Sequence, residues 1–344
     1  MKRIGLIAMI LLIVVSLSFA TGNRQQQQAS RGPVIAYICK NLSQEWFIGT
    51  STAMRQAATA RGVRDFLLFD CDMNPDRYME ALDAVISRGD VSVLIVTPPD
   101  QILSQVTVDR CRVAGIKVIA NDDGLVDQQG RHIAPAQELN AYIVGLGIGE
   151  WLGNYYNQNN LHANYARTAF MLIDIPELSS VVPRIDGARD KFLELVPQFE
   201  RSKLVRVNYD GTTDMGFNVA AATITANPQI TNWIVMAPND EGAQGATRAL
   251  EQANLDRNAV VAGVGGYLAK DEFKRDFSAF MASSYLDTSM NGKVIMDAAM
   301  DWHETGVTPS EQYKSSGAAF GVYPFGGVMV DRNNFRQVMG AAAN

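Results

Sequence analysis

Six positions carry the chemistry of this sequence: Lys40, Trp46, the adjacent Asp122 and Asp123, Arg184 and Asn239. Carboxylates accept hydrogen bonds, lysine and arginine donate them, and an asparagine amide does both. Charge-assisted bonds are the stronger ones, and exclusion from water strengthens them further. A tryptophan face packs on apolar C–H surface. Together these groups suit a small polyhydroxylated molecule, each hydroxyl of which donates one bond and accepts others. A missing hydroxyl would leave a buried group unpaired, at about 1–3 kcal/mol, so such a site distinguishes epimers. Each residue alone has a plainer reading. The aspartate pair could be a turn, Lys40 a surface charge, Trp46 a core residue, Arg184 a surface ion pair and Asn239-Asp240 a helix cap. What sets them apart is a shared position, just beyond apolar runs that read as strands.

Those runs alternate with helix-period segments along nearly the whole chain. Strands are expected at 34–39, 66–69, 91–96, 116–120, 169–173, 204–207, 233–237, 259–264, 280–284 and 326–330. Helices are expected between them, at 44–61, from Asn74-Pro75 onward, and at 102–114, 140–155, 183–195, 217–226, 242–253 and 289–303. Asn74 is a cap and Pro75 sits at the first helical position. Alternation of this kind implies parallel sheet covered on both faces, an α/β fold with doubly wound sheets. Roughly ten strands exceed one sheet of usual size, so two α/β domains are expected. No Pro/Gly/Ser-rich linker parts them, which places a cleft and a hinge between ordered lobes. Ligands of open parallel sheets sit beyond the carboxyl ends of strands, where the six residues fall.

Composition narrows the function. The chain has 344 residues, 47% of them hydrophobic, and a net charge of −6. An acidic balance argues against a nucleic-acid partner. Three histidines leave little room for a multi-His metal site, and three cysteines are too few for a disulfide scaffold. No metal and no cofactor is expected. Lys2 and Arg3, the apolar run from Ile4 to Val15 and the small residues of Ser18-Phe19-Ala20 form a secretory leader cleaved near Ala20. Residues 21–32, with Gln25 to Gln28, read as a disordered lead-in. The mature protein is expected in the periplasm, as a monomer.

Other motifs are discounted. Gly145, Gly147 and Gly149 lack the spacing of a phosphate loop and fall within a helix, where close packing on the sheet explains them. Gly263, Gly265 and Gly266 suit a tight turn. No nucleophile stands near a histidine in a catalytic pattern. Cys39 and Cys71 end neighbouring strands, and an oxidising compartment would permit a disulfide between them. Cys111 is expected to be buried and free.

The loops in this order resemble the periplasmic monosaccharide-binding proteins of ABC importers, the L-arabinose-binding members most closely. The resemblance runs from about Pro33 to Gly340. It is most specific at Val118–Asp123, at Glu177-Leu178 followed by Arg184, at Trp233–Asp240 and at Met329–Phe335. It implies two α/β lobes joined by three crossover segments, closing by a hinge over a sugar. The implied lobes are 33–137 with 288–318, and 138–287 with 319–344, with crossings near Gln137, Asp287 and Ala319. By the same resemblance Lys40 and the stacking Trp46 contact the sugar. One of the Asp122–Asp123 pair reads the anomeric hydroxyl, Arg184 reaches the ring oxygen and a neighbouring hydroxyl, and Asn239 reads hydroxyls from the second lobe.

The sequence also departs from that pattern. Gln44 stands where the arabinose binder has glutamate, and Ile143 where it has methionine. Gly265, Gly266, Tyr267 and Leu268 replace a loop with asparagine and aspartate. Tyr267 can fill the space so made, and Asn140 offers a substitute hydrogen-bonder. The ligand is therefore expected to be arabinose or a related pyranose such as galactose or fucose. The partners implied are that sugar and a membrane permease, or alternatively a chemotaxis or sensory receptor. A secreted glycosidase is disfavoured, because its two carboxylates must face each other about 5 Å or more apart.

Overall fold

The strand Val34–Cys39 (β1, VIAYIC) is buried at every position, as expected of a central parallel strand with both faces covered. It belongs to a computed structural model that describes residues 32–176, 178 and 181–344. The leader and nearly all of the Gln-rich lead-in lie outside the described residues, as does Glu177. Among the described residues no helix is long and apolar enough to cross a membrane.

The remaining strands are Asp65–Asp70 (β2), Val91–Val96 (β3), Lys117–Asp122 (β4), Ala136–Leu139 (β5), Thr168–Asp174 (β6), Leu204–Asn208 (β7), Asn232–Met236 (β8), Ala259–Gly265 (β9), Phe280–Tyr285 (β10), Val322–Phe325 (β11) and Val328–Asp331 (β12). They form two six-stranded sheets, in the orders β11-β5-β4-β3-β1-β2 and β12-β10-β9-β8-β6-β7. The first sheet is parallel throughout. The second is parallel except for its edge strand β12, which runs against β10.

Between the strands lie the helices Glu45–Ala60 (α1), Pro75–Arg88 (α2), Ser104–Ala114 (α3), Ala141–Gln158 (α4), Val182–Leu195 (α5), Thr213–Ala226 (α6), Asp240–Gln252 (α7), Ala269–Lys274 (α8), Thr288–Thr305 (α9) and Phe335–Met339 (α10). The start of α2 follows its local signal. The Asn74 side chain accepts from the backbone N–H groups of Asp76 and Arg77, with Pro75 just inside. Glycines set the closest helix contacts. A Cβ on Gly145 or Gly149 of α4 would fall 2.1 Å from the Arg184 carbonyl or 2.3 Å from that of Ala188, both on α5. These glycines therefore serve helix-on-helix packing rather than the helix-on-sheet contact expected. Only Gly147 faces a strand residue, Met329.

The chain leaves the first sheet after Leu139, returns to that side through Leu286 and Asp287 into α9, which packs on α1, and leaves it again after Phe325. Two of the expected crossing points are therefore displaced. Gln137 lies inside β5, and residues 322–325 belong to the first sheet rather than following a crossing near Ala319. Two passages brace each other and the third is tied to the second sheet. The Asn140 N–H donates to the Phe325 carbonyl at 2.7 Å, and the Leu286 N–H to that of Gly265 at 3.1 Å. Cys39 and Cys71 are buried free thiols, with Cys71 Sγ 2.8 Å from the Cys39 carbonyl oxygen, and Cys111 is buried and free.

Candidate functional site

The carboxyl ends of both sheets point at a shared cavity of about 60 Å³. A single water needs roughly 10–15 Å³, so the chamber has room for a small molecule. From the first lobe Lys40, Gln44, Trp46 and Asp122 line it; from the second come Arg184, Asn239 and Tyr267.

Lys40 follows β1 directly and is 5% exposed. Its ammonium pairs with Asp122 Oδ2 at 3.4 Å and, more closely, with Asp123 Oδ2. Burial works against the charge on Lys40, yet the two carboxylates outweigh it and hold its pKa above the ordinary lysine value. Asp122 is raised above the usual carboxylate range by burial, against the pull of Lys40. Asp122 ends β4 with φ 69°, a left-handed conformation that aspartate tolerates better than most residues. The end of β4 is held from beneath, where Thr97 Oγ1 donates to the Asn121 carbonyl at 2.9 Å. Arg184 comes from the first turns of α5, 8% exposed, and donates from NH1 to the Pro238 carbonyl at 2.8 Å. Its charge is felt by both Lys40 and Asp122 across the cleft. The buried cluster thus holds two cations and two carboxylates, a balanced set that favours a neutral guest.

Two lining side chains retain unspent donors. Trp46 Nε1 and Arg184 Nε are buried with no partner among the described residues. Native proteins seldom leave such groups unpaired. The Trp46 ring stacks on Phe325, at 5.7 Å between centroids and 17° between planes, so one of its faces is already committed to the passage between lobes.

Other expected positions fall differently. Asn239 borders the cavity, but its side chain is heavily used. It accepts from the Gly242 N–H at 3.0 Å as the cap of α7, accepts from Tyr209 Oη, and donates to the Gly211 carbonyl at 3.0 Å. Asn140 turns back to cap α4 at the Ile143 N–H. Ile143 is 54% exposed, opposite the buried stripe of α4, and neither it nor Asn140 lines the cavity. Asp123 stands behind Asp122 as a partner of Lys40, outside the lining. Gly265 ends β9 and supports Tyr267, whose Oη donates to Glu241 Oε2 at 3.1 Å. Burial raises the Glu241 carboxyl to about 7.

Several residues here were not anticipated. Asp210 lines the cavity, and Tyr209 braces Asn239 from the same loop after β7. The rule of looking beyond strand ends would have found both. Glu241 follows Asn239-Asp240 directly. The apolar lining from Met73, Val181, Val264 and Leu286 carries no chemical signature in sequence.

Residues 35–301 match the family described as periplasmic binding protein domain. The chain belongs to that family. Within it, the chain is 26% identical over 292 residues to an Azospirillum brasilense protein named "ABC transporter L-arabinose-binding periplasmic protein", spanning 82% of this chain and 84% of that one. The "L-arabinose-binding periplasmic protein" of Escherichia coli (strain K12) is 22% identical over 267 residues, 76% of this chain and 77% of that one. The fold of this periplasmic binding protein also superimposes, at TM-score 0.74 and 19% identity, on the Caulobacter myo-inositol binding protein bound to myo-inositol. That match covers 88% of this chain and 95% of the other.

Proposed function

We propose that this protein is an extracytoplasmic solute receptor that captures a monosaccharide, arabinose or a related pyranose, between its lobes and delivers it to the permease of an ABC importer. The observation that carries this is the charge-balanced cluster of Lys40, Asp122, Asp123 and Arg184, buried beside the unspent Trp46 and Arg184 donors. A neutral polyol satisfies such a set without introducing a new buried charge. Two named relatives are arabinose-binding proteins, and the Caulobacter neighbour holds another neutral polyhydroxylated ring. The protein works as a periplasmic monomer, its leader removed near Ala20. Lys40, Asp122 and Arg184 supply the directional contacts, Trp46 and Gln44 the first-lobe wall, and Asn239 and Tyr267 the second-lobe wall.

The binding role needs no catalytic group. A glycosidase needs two opposed carboxylates, whereas Asp122 and Asp123 share one lysine. The test is a titration of the mature protein with pentoses and hexoses, followed by tryptophan fluorescence and by calorimetry. Saturable heat with one or two sugars is the expected outcome. Silence in calorimetry toward every monosaccharide would sink the proposal.

A further inference from the structure

A groove of about 630 Å³ opens on the second lobe, at the opposite end of its sheet from the chamber. Phe280 and Met281, the first residues of β10, line it, whereas the carboxyl ends of the strands face the chamber. Buried Phe273 and Phe280, with the partly exposed Phe277 and Met281, give it an apolar base.

One wall is a single face of α4. Trp151, Asn154, Tyr155 and Gln158 stand at i, i+3, i+4 and i+7, which places them on one side of the helix. The Trp151 and Tyr155 rings stack, with 5.3 Å between centroids and 15° between planes. The indole is anchored too, since Trp151 Nε1 donates to Asp331 Oδ2 at the end of β12, at 3.3 Å. An aromatic wall fixed in this way costs little further ordering when a guest arrives.

The rim has polar capacity to spare. Asn154, Gln158, Asp276 and Asn333 are exposed, and their side chains make no bond among the described residues. Three are amides, which donate and accept, and the fourth is a carboxylate, which accepts. The charges present do not select a charged guest. Arg332 is spent on the Arg275 carbonyl at 2.6 Å, and Arg257, packed on the Phe277 ring at 3.8 Å from its centroid, offsets Asp276. Rigid aromatic surface beside uncommitted amides suits a neutral ring that carries hydroxyls. A second recess of about 120 Å³ shares Tyr155 with the groove and adds Asn164 and Asn258. Two recesses on either side of one aromatic residue fit a chain of rings better than a single ring.

We propose that this face of the second lobe is a separate carbohydrate site for a neutral oligosaccharide of two or more rings. Trp151 and Tyr155 form the platform, and Asn154, Gln158, Asp276 and Asn333 read hydroxyls. All of these residues belong to the second lobe, so hinge motion leaves the site whole and its occupant does not compete with the guest of the chamber. The site would hold the protein against a polysaccharide while the chamber stays free.

The test titrates the intact mature protein with maltotriose, cellotriose and triacetylchitotriose, followed by saturation-transfer NMR and by tryptophan fluorescence. At least one should bind saturably, and excess of the monosaccharide panel should not displace it. Trp151→Ala should weaken that binding by about tenfold. Asp276→Ala and Gln158→Ala, at exposed positions, should each weaken it severalfold, and they decide the matter if Trp151→Ala does not fold. None of the three should alter monosaccharide heat. Absence of saturable binding by all three trisaccharides overturns the proposal. So does binding that a monosaccharide displaces, or binding that the groove variants leave unchanged. A trisaccharide held by the groove in a protein silent toward every monosaccharide would sink the cleft reading and leave this one standing.

Discussion

Lys40 has two buried carboxylates to itself. Breaking a buried ion pair from one side typically costs about 3–5 kcal/mol, because the remaining charge is left stranded. Lys40→Met should lose on that order in denaturant unfolding at neutral pH, lose less on acidification as the stranded aspartates take up protons, and abolish measurable sugar heat. Two other residues make stability depend on pH in readable directions. His132 donates to or accepts from Glu138 at 2.7 Å, and that hydrogen bond raises its pKa above the ordinary histidine value. A raised folded-state pKa gives stability that is complete below about pH 6.5 and lost as pH rises through the folded value. His132→Gln should therefore destabilise the protein at pH 5.5 and cost much less at pH 8.5. Glu241 follows the same sign for a different reason: burial raises its pKa from 4.5 to about 7, so ionising it opposes folding. Wild-type stability should fall relative to Glu241→Gln between pH 4.5 and 8, by on the order of 3 kcal/mol. At this scale the sequence made Lys40, Asp122 and Arg184 visible, because charged residues beyond strand ends stand out. It could not show that Asn239 spends its amide on Tyr209 and Gly211, or that Trp46 rests on Phe325, since both depend on partners far away in the chain.

Elements were legible where a strand is long, β-branched and buried on both faces, as in VIAYIC and VSVLIV. Two strands were not. Ala136–Leu139 (AQEL) and Val322–Phe325 (VYPF) are four residues each, polar or proline-bearing, and pair with one another at the sheet margin. Periodicity has nothing to grip in so short a run, and proline argues against a central strand. The short helix Ala269–Lys274 escaped for the same reason of length. The glycines of α4 were noticed, but their partner was not, because which neighbour a helix meets is a tertiary fact. That partner matters for function, since Gly145 rests on the backbone of Arg184 itself. Gly145→Ala should push α5 away, costing about 1–3 kcal/mol by overpacking. Thermal melts would record the loss, and calorimetry a weaker sugar affinity although no cavity side chain has changed.

For the whole molecule, the two-lobe architecture and its cleft followed from strand–helix alternation and the absence of a linker. The crossing points did not, because a crossing is defined by which sheet the next strand joins. Gln44 of the first lobe lies against Gly211 of the second, so the lobes already meet at the rim. If hinge bending admits the ligand, small-angle scattering of the sugar-free protein should give a larger radius of gyration than this structure, and saturating sugar should bring the two together.

The late return of the chain to both sheets has a consequence for synthesis. The strand at 136–139 waits for 322–325, and the strand at 280–285 waits for 328–331. Residues 322–331 must therefore emerge before either sheet gains its last edge. Until then each half exposes an unpaired strand, the kind of edge that recruits other chains. A chain stopped at residue 320 would carry both open edges permanently and should aggregate, whereas a longer chain is delayed from committing to its native state until residues 322–331 have emerged.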